Sequence, residues 1–229
     1  MSDAPIVLIF AHPYPDRSIA NRELLQAVEG LEGVAVRSLY DLYPTFDIDV
    51  SAEQAALRGA QVVVLQHPMY WYSVPSLLKH WFDKVLSRGF AYGHGGKALW
   101  GKRCLWVVTT GGDEQAFGAH GMHGRPFREF MPVVEQTALF CGMSWEEPLV
   151  VYGAHRMPPG DLALAARDYR DRLASLVVRS QRGELLQAGR LPDVSSPPDA
   201  EPPEALERAA QGQAAQPAAA HAEESETAT

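Results

Sequence analysis

Short apolar runs alternate with amphipathic segments from residue 5 to residue 178, and this alternation limits the fold more than any other feature of the sequence. Residues 5–10, 61–66 and 103–109 are mainly apolar, as is typical of strands buried on both faces of a parallel sheet. Shorter runs at 34–39 and 149–152 predict two more strands. The chain therefore has the character of an α/β protein with five strands.

The segments between these strands have helical character. Ser18 and Ser51 are placed to cap helices, and Pro75 suits a first helical position. The predicted helices are residues 18–29, 51–57, 75–86, 127–140 and 162–178. Strands joined by helices form a parallel sheet with right-handed crossovers and helices on both faces. The sequence thus predicts one domain over residues 1–180, with strand order 2-1-3-4-5.

Residues 190–229 differ sharply from that domain. They contain no aromatic residue, are rich in Ala, Pro, Gln and Glu, and carry −6 of the net charge of −8. Such a segment buries too little apolar surface to offset the entropy of ordering, so we expect an acidic, disordered tail. The rest of the chain is nearly neutral and has no basic stripe, which argues against nucleic acid as a partner.

The sequence favours a cytoplasmic protein. No run approaches the roughly 18–20 apolar residues that span a bilayer, and the apolar run near the start is too short for a signal-peptide core. Cys104 and Cys141 stand alone rather than in a CxxC pair, so we expect buried thiols in a reducing compartment.

Three unusual segments directly follow the first, third and fourth predicted strands. They are residues 11–21, 67–75 and 109–112. In an open parallel sheet of this order, ligands bind beyond the carboxyl ends of those strands. The coincidence of position predicts one binding site built from all three segments.

The first segment offers donors for an anion such as a terminal phosphate, because free N–H groups and the helix dipole meet at the start of a helix. The predicted donors are the backbone N–H groups of Ser18, Ile19, Ala20 and Asn21. His12 and Arg17 add positive charge. The segment lacks the Gly-Lys-Ser/Thr and GxGxxG patterns, and an ordinary capped helix remains the alternative.

The other two segments suit a flat aromatic ligand. Tyr70, Trp71 and Tyr72 cannot all face one core from a loop, so some should form a wall on which a planar ring stacks. Met69 is predicted to belong to the core. The N–H groups of Thr109, Thr110, Gly111 and Gly112 would approach the pyrimidine edge of a flavin, with a simple glycine turn as the alternative.

Longer phrases in the chain resemble the quinone reductase branch of the flavodoxin-like superfamily. The similarity covers residues 5–178 and includes 11–15, 38–44, 75–92, 91–96 and 109–112. It is strongest to the FMN-containing ancillary subunits of glutathione-gated potassium efflux systems. The resemblance implies a flavodoxin-like homodimer with one FMN per subunit, NADH or NADPH as co-substrate, and a site on the cytoplasmic face of a potassium/proton antiporter.

Carried over by position, the resemblance assigns thirteen contacts to FMN. They are His12, Ser18, Ile19, Ala20, Asn21, Met69, Tyr70, Trp71, Tyr72, Thr109, Thr110, Gly111 and Gly112. The sequence departs from the larger quinone reductases in one place, where Phe117 replaces a tyrosine that assists hydride and proton transfer. Proton delivery then falls to His123, His120 or water, with an exposed loop histidine as the alternative.

The expected activity is two-electron reduction of a quinone by NAD(P)H with ping-pong kinetics, since both substrates use one pocket. A free-standing quinone, azo or nitro-compound reductase, a flavodoxin-type electron carrier and a purely regulatory flavin protein remain alternatives. The acidity lies in the tail rather than on a folded face, which argues against a carrier. The spacing of His67, His94, His120 and His123 fits no standard zinc pattern, and we expect no metal.

Overall fold

A computed structural model describes residues 4–185, and its centre is a parallel β-sheet. The strands are β1 (Ile6–Phe10), β2 (Val34–Ser38), β3 (Val62–Pro68), β4 (Arg103–Thr109), β5 (Ser144–Trp145) and β6 (Leu149–Val151). The order β2-β1-β3-β4-β5 confirms the predicted order 2-1-3-4-5. Every residue of β1, β3 and β4 is buried, which explains their continuous apolar sequences.

The predicted count of five strands is corrected to six. Both β5 and β6 pair with β4, β5 beside Arg103–Cys104 and β6 beside Val107–Thr109. The residues that separate them include Pro148, which has no N–H to donate to a ladder. Two short strands therefore occupy the edge position for which the sequence analysis predicted one.

Helices cover both faces of the sheet, as predicted. They are α1 (Ile19–Val28), α2 (Leu39–Leu42), α3 (Val50–Gly59), α4 (Ser76–Val85), α5 (Pro132–Phe140) and α6 (Pro159–Gln181). α1 and α6 pack on the face that receives Ile6, Leu8 and Phe10 of β1, while α2, α3, α4 and α5 pack on the opposite face. The alternation along β1 follows from the two-residue period of a strand.

Several helix boundaries differ from the prediction. α3 begins at Val50 because Asp49, not Ser51, is its N-cap and accepts a hydrogen bond from the Ala52 N–H at 2.9 Å. Pro75 precedes α4 as its N-cap instead of occupying the first position. The segment predicted as one helix from residue 127 divides into a 3₁₀ turn, Phe127–Glu129, and α5, which starts at Pro132.

A buried carboxylate ties β2, α3 and α4 together. Glu53 is fully buried, and Arg37 Nε and the Tyr43 hydroxyl donate to its Oε1 at 2.7 and 2.6 Å. Trp81 Nε1 donates to Oε2 at 2.9 Å. The carboxylate pairs with the guanidinium and accepts two further hydrogen bonds, the conditions under which a buried charge is tolerated.

Both cysteines are buried free thiols, as predicted, and burial raises the pKa of Cys141 to about 11. The predicted tail, 190–229, lies outside the described residues. Between residues 4 and 185, no helix is long and apolar enough to cross a bilayer.

Candidate functional site

A cavity of about 220 Å³ opens at the carboxyl ends of β1, β3 and β4. Nine of the predicted contact residues line it: His12, Ser18, Ile19, Ala20, Met69, Tyr70, Thr109, Thr110 and Gly111. Five further lining residues are Tyr14, Arg17, Pro68, Ala154 and His155. The three unusual segments of the sequence therefore do converge at one place.

The N-terminus of α1 forms one wall of the cavity. Ser18 is the N-cap, and its hydroxyl accepts a hydrogen bond from the Asn21 N–H at 3.2 Å. The N–H groups of Ile19 and Ala20 occupy the first helical positions, which have no intrahelical acceptor. Arg17 stands beside them, with its guanidinium 5.5 Å from the centre of the Tyr14 ring. This wall combines backbone donors, the positive end of a helix dipole and a cation, which suits an anion.

His12 is a neutral donor on the same wall. It is only 7% exposed, and burial, helped by the nearby His155, lowers the pKa of its imidazole. Its Nδ1 accepts a hydrogen bond from the Tyr14 N–H at 3.0 Å. In the neutral ring the proton therefore resides on Nε2, which is left as a donor.

Asn21 points away from the cavity and into the protein. Its Nδ2 donates to Thr109 Oγ1 at 2.8 Å, and its main-chain carbonyl accepts from Gln66 Nε2 at 3.0 Å. Gln66 in turn accepts from the Tyr169 hydroxyl at 3.1 Å. Asn21 thus fixes the start of α1 to the end of β4, and its side chain does not line the site.

The aromatic segment after β3 folds into a strained turn. Tyr70 and Ser73 exchange two backbone hydrogen bonds around Trp71 and Tyr72, whose φ angles are +49° and +62°. Each non-glycine residue held in this left-handed region costs on the order of 1–2 kcal/mol. Tyr70 lines the cavity, whereas Trp71 is 93% exposed and neither it nor Tyr72 is a lining residue.

His67, near the end of β3, holds the backbone that leads into this turn. Its ring is completely buried, and Trp106 Nε1 donates to its Nε2 at 2.7 Å. Its Nδ1 lies 2.9 Å from the Pro68 carbonyl, to which it donates. Burial lowers the pKa of His67 to about 4, so the ring is neutral and fixes Pro68 at the cavity wall.

The segment after β4 is fixed by backbone bonds on both sides. Met69 N–H donates to the Thr109 carbonyl at 2.8 Å on one side. On the other, the Ala154 N–H donates to the Thr110 carbonyl at 2.9 Å. Gly112 lies outside the cavity lining, and a Cβ there would stand 2.7 Å from His123 Nε2. The space at Gly112 is thus filled by a histidine instead of being open to a ligand.

The two candidate proton donors lie in different surroundings. His120 is exposed and is not a lining residue. His123 is half-buried against Phe117, with ring centres 4.3 Å apart, and its Nδ1 lies 3.4 Å from the Tyr72 hydroxyl. Of the two, only His123 is packed against the segment after β4.

Sequence reasoning missed Ala154 and His155 on the lining. They follow β6, and a side chain on Gly111 would contact the His155 ring at 3.5 Å. No motif marks residues 152–155, but their place after the last strand is a signal: the carboxyl end of β6 lies beside that of β4.

Comparison with known proteins identifies close relatives. Residues 4–173 match the family model described as flavodoxin-like fold. The glutathione-regulated potassium-efflux system ancillary protein KefF of Klebsiella aerogenes is 50% identical over 178 residues, which is 78% of this chain and 99% of the relative.

Solved structures with the same fold include three with more than 30% identity. General stress protein 14 of Treponema denticola, in complex with FMN, has a TM-score of 0.69 and 32% identity over 75% of this chain and 98% of its own. An NADPH-quinone reductase from P. pentosaceus has a TM-score of 0.67 and 31% identity over 73% and 96%. A protein described as a thermophilic tryptophan halogenase has a TM-score of 0.70 and 36% identity over 73% and 97%. Its described activity differs from the others, so what the three share is the fold.

Proposed function

Because the chain belongs to the flavodoxin-like fold family, together with the ancillary proteins of glutathione-regulated potassium-efflux systems, we propose that it is an FMN-dependent NAD(P)H:quinone oxidoreductase. The observation that carries this proposal is the cavity at the ends of β1, β3 and β4, where an anion-binding helix terminus faces an aromatic turn. A ligand with a flat ring and a terminal phosphate would fit both walls, with the phosphate at the helix terminus and the ring at the aromatic turn.

The residues present fit FMN. Its phosphate would be held by the N–H groups of Ile19 and Ala20, by the Ser18 hydroxyl, and by Arg17 and the Nε2–H of His12. Its ring would lie between Tyr70 and the segment from Thr109 to Gly111. His12 can fill this role as a neutral ring, because its Nδ1 accepts from the Tyr14 N–H and its Nε2–H is left to donate to the phosphate.

When bound, FMN supplies the hydride chemistry, taking two electrons from NADH or NADPH and passing them to a quinone. The protein would hold the ring rigidly, since the two segments that would contact it are fixed by hydrogen bonds to each other and to the end of β6. NAD(P)H and quinone would occupy the same open side in turn, so initial-rate lines should be parallel. Lines that converge would contradict this order.

Proton delivery is the part of the reaction for which the chain departs from the larger quinone reductases. We assign it to the neighbourhood of His123, which packs beside Gly112, and keep His120 as an exposed alternative. A His120→Gln variant that reduces quinone as fast as the parent protein would remove that alternative.

The phosphate assignment can be tested by comparing FMN with riboflavin, which has the same ring and no phosphate. Ser18→Ala removes the cap of α1 at the cavity, while Asp49→Ala removes the cap of α3, which is not among the residues that line the cavity. Each loss costs about 1 kcal/mol of stability. We expect only Ser18→Ala to weaken FMN binding, by about tenfold, with little change for riboflavin. Equal effects of the two variants on FMN affinity would contradict the assignment.

We also propose a homodimer formed through an exposed apolar patch, defined here as Tyr92, Trp100, Val133 and Phe140. Val133 and Phe140 are two turns apart on one side of α5, and the rings of Tyr92 and Phe140 lie 5.4 Å apart. Phe140→Glu should convert the dimer to a monomer in light scattering. The control Leu164→Glu, on the exposed side of α6, should remain dimeric. A monomeric parent protein would contradict the proposal.

The potassium-efflux relatives lead us to propose a cytoplasmic site on a potassium/proton antiporter for this chain as well. Tagged protein should then copurify with the antiporter from detergent-solubilised membranes of its own host. If it is recovered alone while reducing quinones, a free-standing reductase is the better account.

A further inference from the structure

Phe117 stands where the larger quinone reductases carry a tyrosine, but a different phenol reaches the same histidine. The Tyr72 hydroxyl lies 3.4 Å from His123 Nδ1, and the two rings meet edge to face with centres 5.5 Å apart. Phe117 also packs against the imidazole, with ring centres 4.3 Å apart. His123 therefore contacts both a phenylalanine, which has no proton to give, and a tyrosine, which has one.

The turn after β3 holds Tyr72 in this position. Trp71 and Tyr72 both adopt left-handed φ angles, which bulky side chains rarely do. The Tyr72 ring stacks on Phe130, with centres 5.1 Å apart and planes inclined by 20°. Strain that persists in a turn is maintained by its surroundings, and such strain clusters at active sites.

The two side chains differ in their access to solvent. Tyr72 is 46% exposed, on the same turn as the cavity residue Tyr70. His123 Nε2 is buried and has no hydrogen-bond partner among the described residues. The phenol is thus the more exposed member of the pair, and the imidazole is the more buried one.

We propose that Tyr72 donates a proton to the quinone and that His123 replaces it, an assignment that rests on the proposed reductase activity. Reduction of a quinone to a hydroquinone takes two electrons and two protons. The hydride accounts for both electrons and one proton. The Tyr72 hydroxyl gives the second proton to a quinone oxygen. The phenolate takes the Nδ1 proton of a doubly protonated His123 and leaves a neutral imidazole, and solvent water then returns a proton to Nδ1 through the exposed Tyr72 side chain.

This assignment is tested with two electron acceptors. The FMN-loaded protein is reduced with NADPH or NADH and then mixed with benzoquinone or with ferricyanide, which takes up electrons without a proton. General acid catalysis contributes about 10²–10⁴-fold. We therefore expect Tyr72→Phe to slow reoxidation by benzoquinone at least about 100-fold, and reoxidation by ferricyanide less than about threefold, since the electron transfer itself is untouched.

Three further variants separate proton transfer from structural damage. Tyr70→Phe removes a phenol from the same turn and should keep the ratio of the two rates near that of the parent protein. His123→Gln should lower the benzoquinone rate but keep its solvent isotope effect, because Tyr72 still transfers the proton to the quinone. Phe117→Tyr, placed in the Tyr72→Phe background, restores a phenol beside His123 and should recover part of the lost rate.

The outcomes are distinguishable from a failure of the proposed function. If the parent protein binds no FMN or is not reduced by NADPH or NADH, the reductase activity itself is wrong. If the parent protein reacts but Tyr72→Phe slows both acceptors equally, or neither, Tyr72 is not the proton donor.

Discussion

Gly111 and Gly112 are adjacent in the chain, but the structure predicts opposite results when each is replaced by alanine. Neither has a positive φ, so an alanine meets no backbone obstacle at either position. A Cβ at Gly112 would stand 2.7 Å from His123 Nε2 and 3.1 Å from Ala116 Cβ. At Gly111 the nearest atom would be His155 Cδ2, at an ordinary 3.5 Å.

These distances give the size of the effect. Forcing a methyl group into a filled space costs about 1–3 kcal/mol, whereas glycine to alanine at a compatible position gains about 0.4–1 kcal/mol by restricting the unfolded chain. Gly112→Ala should therefore lose about 1–2 kcal/mol of unfolding free energy, and Gly111→Ala should lose none. For a chain of this size, each kcal/mol corresponds to about 2–4 °C in Tm.

The assay is urea unfolding of the cofactor-free protein, followed by tryptophan fluorescence. Leaving out the cofactor separates packing from any contact that the glycine backbone makes with FMN. The described packing of His123 onto Gly112 would be contradicted if both variants lost the same unfolding free energy. It would also be contradicted if Gly111→Ala were the less stable of the two.

Two further predictions concern buried ionisable groups. Glu53→Gln leaves Arg37 without its carboxylate and should cost on the order of 3 kcal/mol in urea unfolding; a loss below about 1 kcal/mol would contradict the buried network. His67 has a folded-state pKa of about 4, so the unfolded chain binds a proton first as the pH falls. Unfolding free energy should drop between about pH 6.5 and pH 4, by on the order of 3 kcal/mol. His67→Gln should reduce this acid loss, measured by urea unfolding at several pH values, whereas exposed His94→Gln should not.

The central sheet was predictable because its strands obey a simple rule. Strands buried on both faces consist of apolar residues, and β4 matched its predicted bounds, Arg103–Thr109. The edge of the sheet was not predictable in the same way. β5 has two residues and α2 has four, and elements this short show no periodicity in a sequence. The cap of α3 was misplaced because Asp49 and Ser51 both suit the role, and only the path of the chain before the helix selects between them.

The cavity followed from topology, since the carboxyl ends of β1, β3 and β4 had to meet. The direction in which each side chain points could not be predicted from the topology. Asn21 points inward because its amide reaches Thr109, a contact between residues far apart in the chain. The position of Tyr72 beside His123, next to the cavity lining instead of in it, depends on two positive φ angles that no aromatic sequence predicts. His155 was missed because only the pairing of β6 with β4 brings it beside Gly111.

The most direct measurement is the absorption spectrum of the purified protein during one turnover. The account predicts that the protein takes up one FMN per chain, that NADH or NADPH bleaches the visible flavin bands, and that a quinone restores them. A folded protein that binds no FMN, or that holds FMN whose colour neither nucleotide changes, would contradict it.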